Sequence, residues 1–370
     1  MSDPFHHQDY HDYFQSLENR LKSQKSSSPA APRSRSNPPS RRFRVIRLRP
    51  QFFIALLAII LAVVLLIVLF AKKGKSSTPK VSGGQTESHI EADQTQTDVP
   101  AVIAFTETGA TVDIPSDNDA ESAIVINTVT QEVIARRAPH QRLHPASLTK
   151  IMTVLVATEQ IENYSDTFTM TIEITDAVFL KEASAVGFSP GEKITMTDLL
   201  YGTILESGAD AALGLAFRLA GSEEGFVRLM NQKAAALGLE DTHFTNVTGL
   251  YDADHYSSAY DIAVILQAAM NNEICRTVLS TFQHTTAATE QHPDGIKLTS
   301  TLFSYMYGTE PETATIVGGK TGFVNESKFC IASFGQNNTT QTEYIAVTLK
   351  NSSRWPAVFG QIDLYKQFAK

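Results

Sequence analysis

The stretch SLTKIMTVLVATEQI, Ser147–Ile161, decides the reading of this 370-residue chain. Its apolar residues recur at helical spacing, which predicts a helix with Ser147 near its start. Lys150 follows three residues on, so hydroxyl and amine share one helical face. Serine is a weak nucleophile until a neighbouring base takes its proton, and a lysine with a lowered pKa can be that base. The helix N-terminus adds N–H groups and a positive dipole end where an oxyanion could develop. Taken alone, Ser-x-x-Lys equally describes an ordinary N-cap serine and a solvated lysine.

Two further elements shift that balance. Glu206-Ser207-Gly208-Ala209-Asp210 interrupts a long helical stretch, Thr197–Ala220, and Gly318-Gly319-Lys320-Thr321-Gly322 lies on a predicted strand. A phosphate-binding loop would need glycine six residues before the lysine, where this chain has Ala314, so the nucleotide reading fails. A second ammonium near Lys150 would instead favour its neutral form and itself bind a carboxylate.

Around these motifs, Ser122–Asn127 and Glu132–Ala135 read as a strand hairpin, and Ser222–Leu237 and Ala259–Met270 as helices. Ala314–Gly318, Phe329–Phe334 and Tyr344–Leu349 read as strands before a helix from about Trp355 to Phe368. Strands at both ends and helices between predict an α+β class: a mostly antiparallel sheet formed from both ends of the domain, with an inserted helical cluster.

Ser-x-x-Lys, Ser-x-(Asn) and Lys-Thr-Gly in that order form the set of class A β-lactamases and penicillin-binding proteins. The flanks HPASLTKIMT, FSPGEKITMTDLLYGTILESGADAA, GLEDTHFTNVTGLYDADHYSSAYDIA and VGGKTGFVNESKFCIAS extend the likeness over residues 122–370. The chain resembles serine-type D-alanyl-D-alanine carboxypeptidases, low-molecular-mass members of the β-lactamase/transpeptidase-like superfamily. That resemblance implies Ser147 as nucleophile on a peptidoglycan stem peptide, Lys150 as base and Ser207 as proton relay. It implies Lys320, Thr321, Gly322 and Phe323 as the substrate-binding strand, with Lys320 and Thr321 on the terminal carboxylate and the N–H groups of Ser147 and Phe323 as oxyanion hole. It implies β-lactams as covalent inhibitors and no cofactor. One position departs from the pattern: Ala209 stands where the family usually has Asn. The missing amide removes about 1–3 kcal/mol of hydrogen bonding if nothing substitutes. A weak or inactive peptidoglycan-binding relative and a D,D-endopeptidase of the same fold therefore stay open as alternatives. Transpeptidases and β-lactamases would use the same nucleophile and lysines, although no clear carboxylate base for fast β-lactam deacylation is visible.

Outside this domain the composition changes. The chain holds 31 Lys+Arg against 39 Asp+Glu, yet residues 1–75 carry a net +9 and residues 76–370 a net −17. At the boundary, Phe52–Ala71 (FFIALLAIILAVVLLIVLFA) has no charge, proline or polar side chain. Twenty helical residues span about 30 Å, the hydrocarbon thickness of a bilayer, which predicts a transmembrane helix at 51–71. A cleaved signal would have a shorter apolar run and a small-residue cleavage site. Seven arginines from Arg33 to Arg49 outnumber Lys72, Lys73, Lys75 and Lys80 across the span, which orients the N-terminus to the cytoplasm. Residues 1–50 read as a basic disordered tail, with Asp9–Lys22 as a short helix either idle or docking on a cytoplasmic partner. Residues 72–119 read as a flexible extracytoplasmic stalk and 120–370 as the catalytic domain. The basic cluster suits anionic headgroups, and nucleic acid is not expected as a partner. Relatives of this kind often carry a β-rich C-terminal domain and an amphipathic anchor; with Lys370 directly after the catalytic domain, anchoring at the N-terminus is expected instead. Ten His without HExxH or a paired spacing do not suggest a catalytic metal, and His255, Ser258 and Asp261 are expected to support a helix start near the site. Cys275 and Cys330 are expected as buried thiols rather than a disulfide.

Overall fold

The computed structural model describes residues 103–306, 308–309 and 311–370. The expected tail, the membrane helix, the segment Asp9–Lys22 and residues 72–102 of the stalk lie outside them. Among the described residues no helix is long and apolar enough to cross a membrane.

Three strands open the domain: β1 (Thr106–Asp113), β2 (Ser122–Asn127) and β3 (Glu132–Arg137). Three close it: β8 (Ala314–Val324), β9 (Lys328–Asn337) and β10 (Glu343–Asn351), before α9 (Arg354–Phe368). They form one sheet in the order β1-β3-β2-β10-β9-β8, antiparallel except for the parallel β1–β3 pair. Between the two halves run α1 (Thr149–Gln160), α2 (Ile172–Leu180), α3 (Met196–Leu205), α4 (Ala209–Ala220) and α5 (Glu223–Ala236). They continue with α6 (Ala259–Asn271), α7 (Glu273–Ser280) and the short α8 (Thr301–Met306). Two small hairpins, β4–β5 (Thr167–Thr169, Lys193–Thr195) and β6–β7 (Gln283–Thr285, Lys297–Thr299), complete this insertion. The α+β expectation of a sheet built from both ends around a helical cluster matches this architecture.

The sheet is buried on both faces, which is why β2 reads as an unbroken apolar run rather than an alternating one. Ile124 and Ile126 face the helical side with α1 and α6, whereas Ala123 and Val125 face α9 with Ile362 and Tyr365. Gln361 of α9 is fully buried and pins that helix to the sheet, donating to Ser333 Oγ at 2.8 Å and to the Ala346 carbonyl at 2.7 Å.

The domain begins earlier than residue 120. Residues 106–113, expected within the stalk, form β1 on the sheet edge. Arg136 of β3 bridges Glu107 at 2.8 Å and Asp113 at 2.7 Å, and the Arg137 guanidinium donates to the carbonyls of Asn118 and Ala120. An edge strand exposed along most of its length needs little apolar sequence, so its composition imitates a linker. Both cysteines are buried and free, with their thiols pushed up by burial to about 12 at Cys275 and about 11 at Cys330.

Candidate active site

Ser147 sits in a one-turn 3-10 segment, Ala146–Leu148, that runs into α1. The turn is entered through a left-handed Ala146 (φ 49°) whose N–H donates to His144 Nδ1 at 3.1 Å. Strand β8 passes directly over it. A Cβ on Gly322 would lie 3.0 Å from Ser147 N and 3.1 Å from Ala146 Cβ, so the close approach of Lys-Thr-Gly to the serine needs that glycine.

Lys150, the second residue of α1, is 3% exposed. Its Nζ lies 3.1 Å from Ser147 Oγ and donates to the Thr248 carbonyl at 2.6 Å. Burial brings its pKa down to about 7, with Asp210 pulling the other way. Lys320 is buried as deeply and donates to the Thr321 carbonyl at 2.8 Å. Its pKa is held well below the ordinary lysine range, first by burial and then by Lys150, against Glu206. The expectation that a second ammonium lowers Lys150 thus changes form: burial is the leading cause at both lysines, and like-charge repulsion falls on Lys320. A carboxylate arriving at Lys320 would add to the counter-charge of Glu206 and favour its ammonium.

The second element forms the break between α3 and α4. Ser207 adopts φ 57°, a left-handed conformation that non-glycine residues hold only when their surroundings dictate it. Its Oγ is buried without a hydrogen-bond partner, an unmet polar group of the kind folded proteins rarely keep. Ser207 is therefore not hydrogen-bonded to Ser147 or Lys150. Ala209 is buried on the wall of a cleft of about 790 Å³ that also exposes Ser147, Lys150 and Phe323. Phe323 is half exposed and packs on Phe329 with ring centres 4.5 Å apart. Thr321 Oγ1 contacts Thr301 Oγ1 at 2.8 Å.

Several contributors escaped the sequence reading. The Asp210 carboxylate accepts the N–H groups of Val186 and Gly187, both at 2.9 Å, and of Phe188 at 3.3 Å, so it fastens that loop beside Ser207 rather than facing the substrate. His255 was expected at the start of α6, but only Ser258 caps it, accepting from Asp261 N at 3.1 Å. Asp261 accepts instead from Asp241 N at 2.9 Å. His255 faces α1: Nδ1 accepts from Thr245 N at 3.1 Å, so Nε2–H donates to Thr149 Oγ1 at 2.8 Å. That neutral tautomer agrees with a pKa lowered to about 3, chiefly by burial. Asn246 had a legible signal in Asn-Val-Thr-Gly, a composition suited to an Asx turn.

A model of the peptidase S11 family, D-alanyl-D-alanine carboxypeptidase, matches residues 108–353. The chain belongs to this family. Among curated relatives it is 32% identical over 214 residues to D-alanyl-D-alanine carboxypeptidase DacF of Bacillus subtilis, covering 58% of this chain and 53% of that protein. It is 40% identical over 161 residues to DacA of Escherichia coli K12, 42% of this chain and 40% of that one. The chain therefore spans about half the length, or less, of these two S11 relatives. The crystal structure of the Streptomyces K15 DD-transpeptidase superposes with a TM-score of 0.59 at 29% identity, covering 67% of this chain and 97% of that one. Penicillin-binding protein 5 from Haemophilus influenzae, at 24% identity and a TM-score of 0.61, shares the fold over 69% of this chain and 72% of its own.

Proposed function

We propose that this S11 member is a serine D-alanyl-D-alanine carboxypeptidase that removes the terminal D-alanine of peptidoglycan stem peptides through an acyl-enzyme on Ser147. The observation that carries the reading is the 3.1 Å contact between Ser147 Oγ and a buried Lys150 whose pKa lies near neutrality. Lys150 takes the Oγ proton as Oγ bonds to the carbonyl carbon, and the N–H groups of Ser147 and Phe323 receive the oxyanion. The C–N bond then breaks, and the leaving amine takes a proton relayed through Ser207. Lys320 and Thr321 hold the terminal carboxylate during the step. Water attacks the ester, its proton passing to Lys150 and on to Ser147 Oγ as the C–Oγ bond breaks, which frees the shortened peptide and restores the serine and the neutral lysine. Penicillin acylates the same serine. The apolar run at Phe52–Ala71 and the arginine excess before it support a single-pass anchor at the cell membrane, with the N-terminus cytoplasmic and the catalytic domain outside.

Intact-protein mass after incubation with penicillin should show one adduct on the wild type and none on Ser147→Ala. Released D-alanine from a pentapeptide should appear only with the former. An adduct that persists in Ser147→Ala removes the nucleophile assignment. Ala209 favours a second reading, a catalytically weak relative. Ala209→Asn is expected to raise the acylation rate by up to about tenfold, one added hydrogen bond's worth; an unchanged rate would mean that the amide is not what limits this site.

A further inference from the structure

Burial makes Lys150 a base, but something must aim it. A neutral lysine has two N–H donors and one lone pair. For the lone pair to face the Ser147 hydroxyl, a fixed acceptor has to hold an N–H. Among the described residues Nζ hydrogen-bonds to Ser147 Oγ and to the Thr248 carbonyl, and Ala209 offers no third group. Thr248 lies in the irregular segment 245–250, so no helix or strand ladder fixes its peptide plane.

The side chain of Asn246 does. Its Oδ1 accepts from Thr248 N at 3.1 Å, Thr248 Oγ1 at 3.0 Å and Gly249 N at 2.7 Å. Its Nδ2 donates to the Leu250 carbonyl at 3.0 Å and to Thr245 Oγ1 at 3.4 Å. Both ends of the amide are engaged, a pattern that only Asn or Gln chemistry can satisfy, and Gln is a methylene too long for a turn this tight. Val247, inside the segment, is tied to its surroundings: Thr153 Oγ1 donates to its carbonyl at 2.8 Å and Glu223 accepts from its N–H at 3.1 Å. The next peptide, which joins the Thr248 carbonyl to Gly249 N, is held by Asn246.

We propose that Asn246 is a positioning residue for the proton transfer: its amide fixes the Thr248 peptide, whose carbonyl aims the Lys150 amine at Ser147. The inference rests on the acyl-enzyme reading above. Charge coupling links Lys150 to Asp210 from α4, Lys320 from β8 and His255 from the loop before α6, and the cleft that holds it is also lined by Lys181, Glu182, Glu223, Asp252 and Glu326. A carboxylate at position 246 would keep the acceptor towards Thr248 and Gly249 while adding a negative charge from a new side.

The test compares the wild-type chain with Asn246→Ala and Asn246→Asp by two readouts: acylation by a fluorescent penicillin against pH, and titration of Lys150 by NMR in protein labelled at the lysine ε-carbon. Asn246→Ala should lower the limiting acylation rate by about 10- to 100-fold, as small misplacements of catalytic groups do, with little change in half-saturating concentration. Asn246→Asp should move the acid limb and the Lys150 midpoint upward together by about half a unit or more. A folded Asn246→Ala that acylates at the wild-type rate, or an Asn246→Asp that moves neither limb nor midpoint, overturns the proposal. If Asn246→Ala does not fold, Asn246→Gln decides: it keeps the amide but sets it a methylene too far out, so the limiting acylation rate should fall by about tenfold or more, and a wild-type rate overturns the proposal. A wild type that is never acylated would remove the enzymatic reading; the Lys150 midpoint should then still move in Asn246→Gln, and an unmoved midpoint overturns the role of Asn246.

Discussion

Lys150→Met should lower acylation of Ser147 by about 10³-fold or more, the range in which general bases contribute, while making the folded domain more stable near neutral pH. Methionine fills nearly the same volume without a charge to bury, so the two effects have one cause. The folded-state pKa of about 7 lies below the ordinary lysine value of 10.5. The unfolded chain therefore binds more protons than the folded one between those values, and wild-type stability rises with pH across that window. Below about 7 the penalty is fully present. The stability advantage of Lys150→Met should accordingly be largest at pH 7 and below and shrink towards pH 10.5, read as denaturation midpoints across pH. The wild-type acylation rate should climb through an acid limb near 7, since only neutral lysine accepts the serine proton. A Lys150→Met protein that acylates within about tenfold of wild type would show that another group is the base.

The same burial explains how far the site could be read before its geometry was seen. Ser147 and Lys150 were legible because helical spacing alone puts positions three apart on one face, and the structure keeps them 3.1 Å apart. Lys320 was legible as a lysine on a strand, but the reason for its altered pKa was not. Spacing can suggest a neighbouring ammonium; it cannot report the depth at which both amines are buried. Asp210 closes the second motif in the sequence without a role there, and its grip on Val186, Gly187 and Phe188 joins segments 22 to 24 residues apart. The contact between Asn246, Thr248 and Lys150 spans 98 residues. Contacts of that range leave no local period, so only the fold displays them.

The sheet divides in the same way. β2 and the cores of β9 and β10 followed from apolar runs, because a strand covered on both faces is largely apolar. The strand β1 followed from nothing of the kind. Its polar residues meet solvent, and Arg136 holds its two ends through Glu107 and Asp113. Exposed edges are where sequence pattern and strand formation part company.

Gly249→Ala is expected to be the most disruptive single methyl in the domain, and Gly221→Ala supplies its measure. Both glycines are left-handed, at φ 74° and 75°. A Cβ on Gly221, the C-cap of α4, would meet nothing within 4 Å, so its cost is the backbone conformation alone, about 1 kcal/mol. A Cβ on Gly249 would lie 1.9 Å from the Ala146 carbonyl oxygen, 2.4 Å from its carbon and 2.9 Å from Thr149 Oγ1. Two of those are backbone atoms of the turn that carries Ser147, and they cannot retreat without moving the nucleophile. Thr149 is itself held by His255, so the far side does not yield either. Gly249→Ala should therefore lose on the order of 3 kcal/mol or more in chemical denaturation, and the surviving folded fraction should acylate at least about 100-fold more slowly. Gly221→Ala should keep the wild-type acylation rate. Equal losses of stability in the two variants would mean that the left-handed conformation, and not the collision with Ala146, sets the cost, and that the segment 245–250 is free to move away from the serine turn.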